Sequence, residues 1–334
     1  MTSSPVESRD NPCILIRRHG GPEVLTPGQT VVGPPGPGEV QVRHTAVGVN
    51  FADVYQREGE VHNDPLDLPF IPGLHAVGEV VALGSGVDDL KIGDRVTRVG
   101  GPGAYTTYRN SPAARLVKVP DALDDATVAA TYARGLTCQY LVRQLHRLAP
   151  GDRILVHAAA GGLGQLLVRW AKHLGATVIG TVGTPEKAAL VGALGADHAI
   201  DYTRQDFVQE VLDATGGEGV HVVYDAVGST TFHRSLACLA PKGLAINFGT
   251  AAGPVPPLDI QDLHSKSLRV CRPTLRNWIA TPQALREAAQ ELFSLQIDGV
   301  LSVPVTRELP LAEAAQAHTL LQGRQVAGAL VLRP

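Results

Sequence analysis

The stretch from Arg153 to Lys187, RILVHAAAGGLGQLLVRWAKHLGATVIGTVGTPEK, constrains the fold more than any other part of the chain. A short apolar strand at 154–157 runs into the small-residue turn Ala159-Ala160-Gly161-Gly162-Leu163-Gly164. Leu163, Leu166, Leu167, Trp170, Ala171 and Leu174 then recur at helical spacing, and a second strand at 177–182 closes a βαβ unit. The turn has dinucleotide-fingerprint spacing, with Ala159 in place of the first glycine. Gly161 admits a pyrophosphate to the N–H groups at the helix N-terminus, where the dipole favours negative charge. Gly164 lets the helix pack close to the sheet. A lone glycine fingerprint is a weak signal, but the flanking strands and helix supply the context it needs.

The end of the second strand selects the dinucleotide. NAD sites usually hold an acid there for the ribose 2′-hydroxyl. This chain has Val182-Gly183-Thr184-Pro185-Glu186-Lys187, with no acid at the strand end itself. A 2′-phosphate would meet small residues, the Thr184 hydroxyl and the Lys187 ammonium, so the sequence favours NADPH over NADH.

At 334 residues the chain exceeds one ordinary core, and two domains are expected. A net charge of −3 gives no electrostatic case for nucleic acid or a membrane surface, and no apolar run reaches transmembrane length. The polar N-terminus, residues 1–12, reads as a loose tail without a signal region. Cys13, Cys138, Cys238 and Cys271 are scattered, which fits a reducing cytoplasm.

Beyond the fingerprint, strands at 198–201, 220–224 and 244–248 alternate with helices from about 205 to 214 and after Ser229. The alternation predicts an α/β fold with a doubly wound parallel sheet over residues 130–270. The first part reads differently. Short β-type runs at 40–47, 77–83, 95–99, 105–108 and 115–119, broken by Gly and Pro, predict a mostly antiparallel, barrel-like domain. Two amphipathic helices, at 282–295 and 311–321, precede a final strand at 329–332.

Six motifs, in order and at family spacing, carry a resemblance. They are His19-Gly20-Gly21-Pro22-Glu23-Val24-Leu25, Gly36-Pro37-Gly38-Glu39-Val40, Gly48-Val49-Asn50-Phe51-Ala52-Asp53, Lys91-Ile92-Gly93-Asp94-Arg95-Val96, His157-Ala158-Ala159-Ala160-Gly161-Gly162 and Tyr224-Asp225-Ala226-Val227-Gly228. From Ile14 to Leu332 the chain resembles the zinc-free, zeta-crystallin-like quinone oxidoreductases of the medium-chain dehydrogenase/reductase superfamily. The resemblance implies a GroES-like β-barrel catalytic domain split between residues 1–129 and 271–334, a Rossmann domain at 130–270, an active site in the cleft between them, and a homodimer or tetramer joined through the Rossmann domain.

Zinc relatives use Cys, His and Cys as catalytic ligands, and the matching positions here are Asn50, Leu74 and Ala133. Residues 85–135 hold no cysteine, so the structural-zinc lobe has no counterpart either. His75 beside the lost ligand position reads as a polar-core histidine. No metal is expected. Without a Lewis acid the acceptor must need little polarisation, as quinones and conjugated carbonyls do. The resemblance places Asn50 and Tyr55 beside the nicotinamide. There both could steady an oxyanion and Tyr55 could deliver a proton, while Asp53 could act beside them or cap the turn.

For the cofactor, the resemblance implies Asn50 and Thr137 at the nicotinamide half, and Gly161, Gly162 and Leu163 under the pyrophosphate. Gly183, Lys187 and Tyr202 would surround the 2′-phosphate, and Phe248 and Gly249 would border the nicotinamide. Arg272 and Arg324 are further candidates. Two departures bear on the acceptor: Val61 replaces a cleft-mouth tyrosine, and Arg134-Gly135-Leu136-Thr137 replaces a lysine-led motif. The expected function is an NADPH-dependent quinone oxidoreductase. An enone or enoyl (alkenal) reductase, and a non-enzymatic NADPH-binding structural or RNA-associated protein, stay open as alternatives.

Overall fold

The structure, a computed structural model, describes residues 8–59, 66–323 and 326–334. In chain order it begins with β1 (Arg9–Leu15), β2 (Thr26–Val32), β3 (Glu39–Gly48), α1 (Phe51–Glu58), β4 (His75–Leu83), β5 (Arg95–Val99), β6 (Tyr108–Pro112), β7 (Val117–Lys118) and α2 (Asp125–Gln139). A βα alternation follows: β8 (Arg153–Val156), α3 (Gly162–His173), β9 (Thr177–Val182), α4 (Pro185–Ala193), β10 (His198–Asp201), α5 (Phe207–Ala214), β11 (Val220–Asp225), α6 (Phe232–Ala237), β12 (Leu239–Asn247) and β13 (Arg269–Cys271). The chain closes with α7 (Leu275–Trp278), α8 (Pro282–Ile297), β14 (Val305–Pro310), α9 (Ala314–Gln322) and β15 (Ala329–Arg333).

Two compact units result: residues 1–133 with 280–297 and 303–334, and residues 134–279 with 298–302. In the second unit six parallel strands run in the order β10-β9-β8-β11-β12-β13. Numbered within the unit this is 3-2-1-4-5-6, the Rossmann arrangement, whose strand order reverses beside β8. Leu155, Ile179, Val223 and Ala245, on four adjacent strands, are fully buried together with Val211 of α5. That is why these strands read as apolar runs instead of alternating ones.

The first unit holds a seven-stranded sheet ordered β14-β15-β3-β4-β5-β7, with β6 on β3, and the separate antiparallel hairpin β1-β2. Except for the parallel pair β14-β15 its pairings are antiparallel. Ile14, Ile16, Val47, Tyr105, Leu330 and Leu332 share its larger core. A smaller one gathers Val40, Val42, Val80 and Val96.

Two expectations need correction. Residues 9–12 are not a tail: Arg9 to Pro12 pair with Val32 to Gln29 in β1-β2. The β-run at 105–108 is a connection in which Tyr105 is wholly buried, and the strand starts at Tyr108. Tyr105 is held by its own backbone N–H on the Pro72 carbonyl, 2.9 Å, and not by a ladder.

Candidate functional site

The dinucleotide half is built at the turn from β8 into α3. Ala158 occupies the left-handed region at φ 53°, which bends the chain so that the Gly161 N–H reaches the Ala158 carbonyl at 2.9 Å. Gly161 caps α3 and supplies no side chain, and among the described residues no side chain caps this helix. The first-turn N–H groups of a helix have no intrahelical acceptor, so this end is suited to an anion. Gly164 has a steric duty: a Cβ there would stand 2.4 Å from the Ala158 carbonyl oxygen and 2.7 Å from Ala159 Cα, both rigid backbone. Beneath the turn His157 is buried, its Nδ1 2.8 Å from Thr181 Oγ1 and its Nε2 2.8 Å from Ser235 Oγ.

At the end of β9 the Thr184 hydroxyl accepts the Lys187 N–H at 3.3 Å and caps α4, so Lys187 belongs to the first turn of that helix. Tyr202, 42 % exposed, follows β10, the strand paired with β9. A Cβ on Gly183 would lie 2.8 Å from the Tyr202 hydroxyl, so glycine makes room for the phenol at the strand end. Gly183, Tyr202 and Thr184 thus converge at the start of α4, whose first turn holds Lys187. Thr137 is partly buried on α2, and Phe248 and Gly249 follow β12. Arg272 is bonded to Asn247 Oδ1 and reaches the Gly249 carbonyl at 3.3 Å, so it brackets the Phe248–Gly249 turn. Arg324 and Val61 lie outside the described residues.

In the first unit, Asn50 caps α1 and Tyr55 lies partly buried one turn on. Asp53 is wholly buried: Oδ2 accepts the Asn50 N–H at 2.8 Å and the Tyr105 hydroxyl at 3.1 Å, while Oδ1 accepts the Leu74 N–H at 2.9 Å. Of its two readings, the capping one fits these bonds, a capping box with Asn50. The network continues inward. Tyr105 Oη is 2.9 Å from His318 Nε2, and His318 Nδ1 is 3.3 Å from the wholly buried Arg57 guanidinium. Arginine only donates, so Nδ1 accepts and Nε2 carries the proton. The Tyr105 oxygen then accepts from His318, and its O–H donates to Asp53. Burial, with the Arg57 charge second, pushes His318 down to about 3, which keeps it in that neutral form. Arg57, Tyr105 and His318 escape a sequence reading because their neighbours are far along the chain.

Residues 36–121 match the alcohol dehydrogenase GroES-like domain, and residues 162–293 match the zinc-binding dehydrogenase family. A Pseudomonas aeruginosa quinone oxidoreductase is 45 % identical over 96 % of this chain and 99 % of its own. A Burkholderia 2-haloacrylate reductase is 44 % identical over 96 % and 98 %. The structure of Escherichia coli quinone oxidoreductase complexed with NADPH superposes with a TM-score of 0.93 at 41 % identity, covering 97 % of this chain and 100 % of that one. The chain belongs to the quinone oxidoreductase family of the medium-chain dehydrogenases/reductases.

Within that family the two units are the GroES-like domain and the Rossmann domain. One matched family is named for zinc, yet this chain has Asn50, Leu74 and Ala133 at the expected catalytic-ligand positions. Among the described residues no three His, Cys, Asp or Glu side chains gather to hold a metal. His75 is wholly buried, its Nε2 3.1 Å from Thr97 Oγ1 and its ring 5.5 Å from that of Tyr132.

Proposed function

We propose that this chain is an NADPH-dependent, zinc-independent quinone oxidoreductase. One observation carries the cofactor assignment: α3 begins on its glycine cap with no side-chain cap among the described residues, while the neighbouring strand end presents Gly183, Thr184 and Lys187 with no acid at its tip. These residues fit a pyrophosphate and a 2′-phosphate. Gly161, Gly162 and Leu163 would hold the former by N–H donors, and Lys187, Thr184 and Tyr202 the latter. Thr137, Phe248 and Gly249 would border the nicotinamide, and Arg272 would keep the Phe248 turn in place. When bound, NADPH supplies the hydride. The Asn50 amide and Tyr55 hydroxyl would donate hydrogen bonds to the oxygen on which negative charge grows, and Tyr55 would give the proton. Asp53 is a positioning residue, because it acts through the Asn50 and Leu74 backbone.

The quinone oxidoreductases of Pseudomonas aeruginosa and Escherichia coli support the acceptor class. The second reading, reduction of an activated carbon–carbon double bond, is favoured by the 2-haloacrylate reductase at 44 % identity. We further propose a cytoplasmic homodimer or tetramer joined through the Rossmann domain, with no nucleic-acid partner. Four unpaired cysteines suit a reducing compartment, and no described helix is long and apolar enough to cross a membrane.

The test is NADPH oxidation at 340 nm by chelator-treated protein with a quinone and with an aliphatic enone, each repeated with NADH. Turnover with quinone and NADPH is expected. Turnover with the enone alone moves the assignment to ene reduction. NADPH binding without turnover on either refutes the enzymatic reading and favours a structural or RNA-associated one.

A further inference from the structure

The loop after β5, Gly100-Gly101-Pro102-Gly103, bends through three left-handed glycines, at φ 107°, 68° and 107° for Gly100, Gly101 and Gly103. It folds over two arginines that take no part in the proposed reaction, Arg98 of β5 and Arg109 of β6. The point where a Cβ on Gly101 would stand is 3.8 Å from Arg98 Nη2 and 3.9 Å from Arg109 Nη2, with no other group of the described residues beyond the adjoining loop within 4 Å. Two guanidiniums therefore flank one open position above the glycine.

Neither arginine has the counter-charge that such a place requires. Arg98 spends Nη1 on the Ser111 hydroxyl, 3.2 Å, and its Nε is buried without a partner. Arg109 donates Nη2 to the Pro102 carbonyl. Among the described residues neither has a carboxylate within ion-pair distance. Glu39, the acid whose field reaches Arg98, accepts the Gly36 N–H at 3.1 Å. Arg115 adds a further positive field on Arg98. Burial, with the charge of Arg98 second, pushes Arg109 down to about 9, the mark of a cation held among like charges and short of solvent. The buried Arg98 Nε is an orphaned donor among the described residues, and such a donor calls for a water or an ion. Both arginines are partly exposed and Gly101 is exposed, so a small solute can reach the position.

We propose that Arg98, Arg109 and the Gly100–Gly103 loop form a binding site for a small oxyanion of the phosphate type, separate from the dinucleotide phosphates. Planar guanidinium forks bridge such oxygens bidentately, and an anion between two of them replaces repulsion with two charge-assisted contacts. Glycine at 101 leaves the space that the anion fills.

The test is thermal melting of the full chain in inorganic phosphate against chloride at equal ionic strength. The wild type is compared with Arg109→Gln, Gly101→Asp, Gly101→Asn and Lys187→Ala. At ten times its Kd, phosphate should raise the wild-type Tm by about 2 °C. The rise should persist in Lys187→Ala and vanish in Arg109→Gln. Gly101→Asp puts a carboxylate where the anion would sit, at a φ that Asp and Asn share. It should melt above Gly101→Asn and no longer respond to phosphate. That pair decides the matter even if Arg109→Gln fails to fold. No rise in the wild type, a rise lost in Lys187→Ala but kept in Arg109→Gln, or identical behaviour of the Asp and Asn variants overturns the site.

Discussion

Lowering the pH from 7 to 5.5 should cost this protein a large part of its stability, before most carboxylates begin to titrate. Three histidines cause it. Burial comes first and a neighbouring arginine second in each case. Arg109 acts on His44, Arg234 on His157 and Arg57 on His318, and the three are pushed from 6.5 to about 4, about 3 and about 3. Their folded values are depressed, so the unfolded chain binds the extra protons. Stability is then fully present above pH 6.5 and drains away as pH falls towards about 4 for His44 and about 3 for His157 and His318. From pH 7 to 5.5 each unfolded imidazole takes up most of a proton, worth about 1.3 kcal/mol, or about 4 kcal/mol for the three. A typical domain has about 5–15 kcal/mol in total. Urea unfolding at pH 7.0, 6.5, 6.0 and 5.5 measures the loss directly. His44→Gln should start less stable at pH 7 because its bond to the Thr106 carbonyl, 2.8 Å, is disturbed. It should nevertheless lose only about two-thirds as much on acidification. A stability that stays flat over this range, or a variant with the wild-type slope, would falsify the assignment of neutral buried histidines.

Tyr105→Phe deletes the hydroxyl that links His318 to Asp53 and should cost about 3 kcal/mol, a lost charge-assisted bond plus an orphaned His318 N–H. Chemical denaturation reads it, and a cost below about 1 kcal/mol counts against the hydrogen-bond direction derived above. Gly164→Ala should lower stability by about 2 kcal/mol and raise the KM for NADPH, since its Cβ meets only rigid backbone of the fingerprint turn. An unchanged KM would show that this turn does not carry the pyrophosphate. Gly183→Asp should move preference from NADPH towards NADH by about tenfold in kcat/KM, because it restores an acid at the strand end and crowds Tyr202. Equal preference before and after would separate this strand end from the 2′-phosphate.

Most of the Rossmann unit was legible because burial on both faces leaves long apolar words in the sequence. The strands at 177–182 and 198–201 were read with their observed bounds. β1 hid behind Arg9, Asp10, Asn11 and Pro12. Over Arg9 to Cys13 only alternate residues turn inward, and Asn11 is buried with its side chain bonded to Thr106 and to Tyr108. The run at 105–108 looked like a strand because a buried aromatic and two threonines have β-type composition, whatever holds their backbone. In the candidate site, the fingerprint glycines declared themselves by spacing. The support of α1 did not, since Asp53 meets Tyr105 fifty-two positions away and Tyr105 meets His318 two hundred and thirteen positions away. No local pattern encodes a bond of that separation.

The placement of β15 sets a timetable for biosynthesis. Val331 and Leu332 pair with Gly48 and Val47, so β3 waits for a strand that leaves the ribosome roughly 280 residues later. At about 5–20 residues per second that wait lasts tens of seconds on the ribosome. Residues 134–279 are contiguous and can fold meanwhile. On the flank of β3 that β15 completes, β6 covers Glu39 to Arg43 early, so it is the Val47–Gly48 end that spends the interval as an open strand edge, the kind of surface that chaperones shield.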